Sequence, residues 1–112
     1  MAYTISFEDF QKLDIRMGTI TEVIDFPKAN KPAYQLTLDF GTLGIKKSSA
    51  QLTHLYSKET LLKKQVMAVV NFKPKQIANF ISECLVLGVA NEKGEIVLLK
   101  SDKQTNNGTW IS

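Results

Sequence analysis

The alternation of apolar and polar positions predicts a chain built mainly from β-strands. Apolar residues occupy every second position from Tyr34 to Phe40, which is the period of a strand with one buried face. A turn at 41–44 then leads into 45–50, a predicted strand with an unusually polar face. Three further stretches are almost continuously apolar, as expected of strands buried on both faces: 66–70, 85–90 and 96–99.

The predicted first strand changes its apolar phase at a glycine. Ile15 and Met17 share one face, but beyond Gly18 the apolar positions shift to Ile20 and Ile24. A phase shift across a glycine indicates a β-bulge or a sharp coil. The first strand of a small closed barrel bends so strongly that it pairs in both halves of the sheet. We therefore expect the bend at Gly18.

Two short helical segments accompany the predicted strands. Phe7, Phe10 and Leu13 follow Ser6 at helical spacing, and Ser6 is a suitable N-cap residue. A second segment, 52–62, carries leucines at positions that fit one or two short helices. The order is thus three strands, a short helix and two more strands. This is the order of the OB-fold, a partly open five-stranded barrel that binds oligonucleotides and other extended ligands.

The length of 112 residues fits one domain. We predict an all-β fold, a five-stranded OB-fold β-barrel with short N-terminal and inter-strand helices. Residues 7–17 would form the N-terminal helix and the start of the first strand. Residues 100–112 would form a C-terminal extension beyond the closed barrel.

Positive charge is concentrated in the middle of the chain, between residues 40 and 82. The only acid in this stretch is Glu59, and the rest of the chain is net acidic. Its lysines are Lys46, Lys47, Lys58, Lys63, Lys64, Lys73 and Lys75. Such a surface suits a polyanion, most simply a nucleic acid, because neutralising phosphates releases condensed counterions. A lysine-rich surface that serves only solubility is the alternative that charge leaves open.

A motif between two predicted strands, residues 71–83, resembles the signature of tRNA-binding domains appended to aminoacyl-tRNA synthetases. The positions that match at the same spacing are Asn71, Lys73, Pro74 and Ser82. Further similarity lies upstream, at 14–18, 31–34 and 39–41. The particular forms of 45–51 and 71–77 narrow the resemblance to the CsaA group of export-related chaperones. The resemblance extends from about Phe7 to the C-terminus.

The resemblance implies a non-catalytic module without a cofactor that binds tRNA or structured RNA and acts as a chaperone in protein export. Its partners would be RNA, unfolded preproteins or peptides, and a second copy of the chain. A purely preprotein-binding chaperone, with RNA binding incidental, is the alternative. The candidate ligand-binding residues are Lys46, Lys47, Ser48, Ser49, Asn71, Phe72, Lys73, Pro74, Lys75, Gln76, Ser82 and Glu83. The candidate dimer-interface residues, with the 100–112 extension, are Phe7, Phe10, Leu13 and Trp110.

Four positions of the motif leave a question of role or depart from the family pattern. For Asn71 the sequence supports two roles equally: contact with a ligand, or hydrogen bonds to nearby main chain. Gln76 and Ala78 stand where synthetase-type domains carry basic residues, which implies fewer phosphate contacts and weaker tRNA binding. Asn79 replaces a common glycine, and we expect it to accept the left-handed backbone conformation that glycine would adopt.

The remaining chemistry of the sequence points away from metal sites, membranes and catalysis. Cys84 is the only cysteine, so an intrachain disulfide is impossible, and with His54 it cannot complete a four-ligand zinc site. We expect Cys84 to be a small buried hydrophobe and His54 to be a surface or packed histidine. The N-terminus lacks the pattern of a signal peptide, and no apolar run reaches membrane-span length. We expect a soluble, cytoplasmic protein.

Overall fold

A long, bent first strand organises the sheet in the computed structural model, which describes residues 3–112. The α-helices are α1 (Phe7–Gln11) and α2 (Lys58–Leu61), and a short 3₁₀ helix spans Gly41–Leu43. The strands are β1 (Ile15–Asp25), β2 (Tyr34–Asp39), β3 (Ile45–Ala50), β4 (Gln65–Val69), β5 (Lys75–Ile77), β6 (Phe80–Ser82), β7 (Leu85–Val86), β8 (Gly88–Ala90) and β9 (Ile96–Leu98).

Five of these strands form one antiparallel sheet in the order β3-β2-β1-β4-β7. The first half of β1 pairs with β4 and the second half pairs with β2, so the two halves of the sheet fold over a common core. The sheet is a nearly closed barrel, which confirms the predicted all-β OB-fold. The two hairpins β5–β6 and β8–β9 are separate from this sheet.

The bend in β1 lies three residues after the predicted position. The pairing register with β2 shifts between Ile20 and Glu22, which identifies a bulge there. As a result Val23 packs against the core, whereas Ile24 is 46% exposed. Gly18 is required for packing instead: a Cβ at this position would lie 2.5 Å from Cε1 of the Phe40 ring, which is too close. The prediction of a bend in β1 is confirmed, and its placement at Gly18 is wrong.

Two apolar clusters hold the structure together. The larger one fills the barrel, and its fully buried large side chains include Ile20, Leu36, Leu38, Phe40, Leu61 and Val66. The smaller one joins the loop between β1 and β2 to the β5–β6 hairpin through Phe26, Ala33 and Phe80. The Phe26 and Phe80 rings lie 5.4 Å apart between centroids. This second cluster holds the hairpin in place on the outside of the barrel.

The strand predicted at 85–90 is divided in the structure. β7 pairs with β4, and Leu87 continues this contact by donating from its backbone N–H to Met67 O at 2.9 Å. β8 instead pairs with β9 only, and all three of its residues are exposed. The prediction of one strand buried on both faces is therefore wrong: 88–90 belong to another hairpin, and in β7 Leu85 is 47% exposed.

The C-terminal tail packs along the free side of the first half of β1. Met17 N–H donates to Thr109 O at 3.0 Å, and Ile111 N–H donates to Ile15 O at 2.8 Å. The side chain of Gln65 holds the tail further upstream by donating to Thr105 O at 2.6 Å. The tail thus satisfies the exposed edge of β1 within its own chain.

Within residues 3–112, no helix is both long and apolar enough to cross a membrane. The same residues contain no cluster of three or more His, Cys, Asp or Glu side chains that could hold a metal ion.

Candidate nucleic-acid interface

Residues of the 71–83 motif line a cleft beside the β5–β6 hairpin. The cleft has a volume of about 260 Å³, and we call it the hairpin cleft. It lies between the end of β4, the hairpin and the polar strand β3. Its lining residues are Ser49, Phe72, Lys73, Lys75, Ile77, Ser82, Glu83, Cys84 and Leu85.

Lys73 and Lys75 provide the positive charge of the hairpin cleft. Both are exposed, and Pro74 between them restricts the backbone that carries them. The salt bridges among the described residues are Lys12–Asp9, Arg16–Asp14 and Lys58–Asp25, so neither lysine forms a salt bridge with another described residue. Two ammonium groups held near one cleft are suited to contact an anion.

The hairpin cleft also has an apolar component. Phe72 is 49% exposed at one side of it, and Leu85 is 47% exposed at another. Exposed aromatic rings stack on nucleic-acid bases and also accept apolar peptide side chains. Ile77 and Leu85 were not among the residues predicted from the sequence. The three-residue β5 and the two-residue β7 are too short for the period of their side chains to identify them.

Ser48, Ser82 and Glu83 close the gap between β3 and β7. Ser48 is 1% exposed, and its hydroxyl donates to Cys84 O at 3.0 Å. Ser82 Oγ accepts from the backbone N–H of Ser49 at 3.1 Å. We call this set of contacts, together with those of Glu83, the seam, because it joins β3 to the segment before β7 at the opening of the barrel.

Glu83 contributes twice to the seam. Its backbone N–H donates to Lys47 O at 2.7 Å, and its Oε1 accepts from the Lys47 N–H at 2.9 Å. The carboxylate therefore serves a backbone N–H of β3, which satisfies an edge group that would otherwise be open. Lys46 and Lys47 lie on this strand next to the seam, with Lys46 half-buried and Lys47 exposed, and they do not line the hairpin cleft.

Asn71 ties the motif to the start of the barrel. Its Oδ1 accepts from the Asp14 N–H at 3.0 Å, and its Nδ2 donates to Lys12 O at 2.8 Å. Both groups of the amide are thus engaged with the main chain between α1 and β1. Of the two roles that the sequence left open for Asn71, the structure shows the hydrogen bonds to main chain.

The turn of the β5–β6 hairpin corrects the expectation for Asn79. Ala78, and not Asn79, adopts a positive φ of 53°. Positive φ at the first central residue is typical of a two-residue hairpin turn that favours glycine at that position. Gln76 contributes to the turn by donating from Nε2 to Ala78 O at 3.2 Å. Pro74 and Gln76 are exposed next to the cleft but outside its lining.

Cys84 and His54 occupy the environments expected for them. Cys84 is 6% exposed, and its burial raises the pKa of the thiol to about 11. The thiol is therefore protonated at neutral pH and is a poor nucleophile. His54 is exposed on the loop before α2.

A second cleft separates α1 from the C-terminal tail. It has a volume of about 510 Å³, and we call it the terminal cleft. Phe7 is 68% exposed and Trp110 is 67% exposed, and no residue of α1 is buried. Arg16 holds Trp110 from one side, with its guanidinium carbon 4.8 Å from the ring centroid. The capping box of Ser6 and Asp9 confirms the predicted start of the helix.

Comparison with known proteins places this arrangement of barrel and motif in a family. The family model described as a putative tRNA binding domain matches residues 15–110. The CsaA chaperone of Bacillus anthracis strain Ames is 50% identical, with a TM-score of 0.92, 98% of this chain covered and 100% of that chain. The CsaA chaperone of Picrophilus torridus is 52% identical, with a TM-score of 0.91, 97% of this chain covered and 100% of that chain. The chain belongs to the tRNA-binding-domain family, and within that family it is of the CsaA type.

Longer proteins contain a similar segment. The methionine-tRNA ligase of Thermococcus onnurineus is 36% identical over 107 residues, and that of Pyrococcus horikoshii is 38% identical over 107 residues. Both alignments cover 96% of this chain and 14% of the ligase. The chain therefore spans a small part of the length of these enzymes.

Proposed function

We propose that the protein is a non-catalytic RNA-binding module that contacts the phosphate backbone of tRNA or a similarly structured RNA. The observation that carries this proposal is the pair Lys73 and Lys75, exposed and without a salt bridge within residues 3–112, beside an exposed Phe72. The ammonium groups would bind phosphates, and the ring would stack on an unpaired base. Ser82, Glu83 and Ser48 would support the cleft through the seam.

The salt dependence of tRNA binding tests this function. Each phosphate contact releases condensed counterions, so the logarithm of the association constant falls linearly with the logarithm of salt concentration. Two lysine contacts predict a slope of about −1.4 or steeper. The measurement is fluorescence anisotropy with labelled tRNA at several salt concentrations. Binding that does not weaken as salt rises would exclude phosphate contacts as the basis of affinity.

A chaperone activity is the second candidate, favoured by the apolar side chains in the hairpin cleft and the similarity to CsaA chaperones. An extended, unfolded preprotein would place apolar side chains against Phe72 and Leu85. Within this proposal the protein acts in the cytoplasm, in protein export. In the alternative, a purely preprotein-binding chaperone, RNA binding would be incidental.

Client holding is expected to need no nucleotide, because the sequence contains no phosphate-binding loop. The purified protein should suppress aggregation of a chemically unfolded client equally with and without ATP, as measured by light scattering. A requirement for ATP would contradict a passive binding module.

We further propose that the working unit is a homodimer formed through the terminal cleft. Phe7, Leu13 and Trp110 are exposed around it, and large apolar side chains that share one surface mark an interaction site. A two-fold interface would place the same surface of both copies together. It would also give one particle two hairpin clefts, so that one long ligand could contact both.

A further inference from the structure

A second group of lysines surrounds a cleft away from the 71–83 motif. Lys63 and Lys64 lie between α2 and β4, whereas Lys100 follows β9. They line a cleft of about 510 Å³, which we call the Lys63 cleft. Asp102 is the one acidic side chain in its lining. Three positive charges from two separated segments therefore converge on one concave surface.

Two neutral polar side chains of the Lys63 cleft, those of Tyr56 and Gln65, already have partners within the protein. The Tyr56 hydroxyl accepts from the Leu98 N–H at 3.0 Å, and the Gln65 side chain donates to Thr105 O. In contrast, none of the three lysines forms a salt bridge within residues 3–112. The lining thus carries three lysines against one aspartate, and an anion would reduce the mutual repulsion of the lysines.

Lys63 adopts a backbone conformation that lysine rarely adopts. Lys63 has a φ of 72°, in the left-handed region where glycine is preferred after a helix. Two hydrogen bonds fix this conformation: the Lys63 N–H donates to Ile20 O at 2.7 Å, and the Ile20 N–H donates to Lys64 O at 2.9 Å. A residue in a sparsely populated backbone conformation persists only where the surrounding structure fixes that conformation. Such residues cluster at functional sites.

The two basic clefts lie at opposite ends of one strand. Gln65 at the start of β4 lines the Lys63 cleft, and Phe72 beyond its end lines the hairpin cleft. The five residues of β4 separate these ends by about 13 Å. A segment of about 4–16 nucleotides, the range contacted by one OB-fold, can cover such a span.

We propose that the Lys63 cleft binds phosphate groups of the same RNA that occupies the hairpin cleft. This inference rests on the proposed function and extends the RNA contact from one end of β4 to the other. Lys63 and Lys100 would each contribute an exposed ammonium group. Lys64, which is half-buried, would add to the local potential.

Paired substitutions test the inference on the full chain. Lys63→Gly with Lys100→Ala should raise the dissociation constant for tRNA about tenfold and flatten the salt slope by up to about 2. The thermal midpoint should be unchanged or higher by a few degrees, because glycine accepts the left-handed backbone. The control is Lys58→Ala with Lys93→Ala, which also removes two positive charges. Lys58 forms a salt bridge with Asp25, and Lys93 lies in the β8–β9 turn. The control should bind tRNA as the wild type does.

The outcomes separate this inference from the proposed function. If the Lys63/Lys100 pair binds tRNA as tightly as the wild type, the second contact is excluded and the function of the hairpin cleft stands. If the Lys63/Lys100 variant and the Lys58/Lys93 control weaken tRNA binding equally, the effect is one of net charge and the inference is overturned. If the wild type shows no salt-dependent tRNA binding, the proposed function fails as well.

A measurement on the wild-type protein avoids any effect of substitution on folding. Lysines are acetylated with and without tRNA, and the modified positions are identified by mass spectrometry. Protection of Lys63 and Lys100 supports the inference, and Lys93 provides the internal control because it should remain reactive. Unchanged reactivity of Lys63 and Lys100, with Lys73 and Lys75 protected, would overturn the inference alone.

Discussion

Replacement of both Phe7 and Phe10 by serine is expected to convert the proposed dimer into a monomer and to weaken tRNA binding about a hundredfold, the scale of avidity in a bivalent particle. The two rings lie 6.1 Å apart between centroids on α1, and Phe7 is 68% exposed. No residue of α1 belongs to the barrel core, so loss of the rings should leave the fold intact. Sedimentation velocity at micromolar concentration measures the assembly.

The matched control for this pair is Leu55→Ser with Val89→Ser. Leu55 and Val89 are also exposed, at 44% and 52%, but they lie outside the terminal cleft. The control should remain dimeric and bind tRNA with wild-type affinity. A wild-type protein that sediments as a monomer would contradict the dimer. Monomerisation of the Phe7/Phe10 variant with unchanged affinity would show that the two hairpin clefts do not share one RNA.

Replacement of both Lys73 and Lys75 by alanine is expected to weaken tRNA binding about tenfold and to flatten the salt slope by up to about 2. Both side chains are exposed and make no salt bridge with another described residue, so their loss should leave the free energy of unfolding nearly unchanged. Anisotropy titrations at several salt concentrations give the affinity and the slope together.

The charge-preserving pair, Lys73→Arg with Lys75→Arg, is the control for this experiment. Arginine also contacts phosphate, so this variant should retain the slope of the wild type. An unchanged slope in the alanine variant would place the RNA contacts elsewhere on the surface. An equal loss in the alanine and arginine variants would indicate that geometry, rather than charge, determines binding at this cleft.

The fold was predictable where the side-chain pattern is regular. The alternation in β2 identified a strand with one buried face, and Leu36, Leu38 and Phe40 are fully buried. The bend in β1 was predictable in kind but not in position, because Gly18 has a packing requirement that the sequence cannot show. Its missing Cβ makes room for the ring of Phe40, which directly follows β2.

The candidate site was predictable from the motif, but the roles within it were not. The sequence grouped Ser48, Ser82 and Glu83 with the lysines as ligand-binding residues. Their hydrogen bonds across the seam depend on how closely β3 approaches the segment before β7, which is a tertiary property. Similarly, the Lys63 cleft joins Lys63 to Lys100, and no sequence spacing relates these two positions.

Ultraviolet crosslinking of tRNA to the unmodified protein, followed by identification of the crosslinked peptides, tests the central claim most directly. The claim is that RNA lies in the hairpin cleft, against Phe72 and between Lys73 and Lys75. The predicted result is crosslinking within residues 72–85, with Phe72 as a principal site, and its loss as salt concentration rises. A crosslinking map with no site in residues 72–85 would contradict the claim.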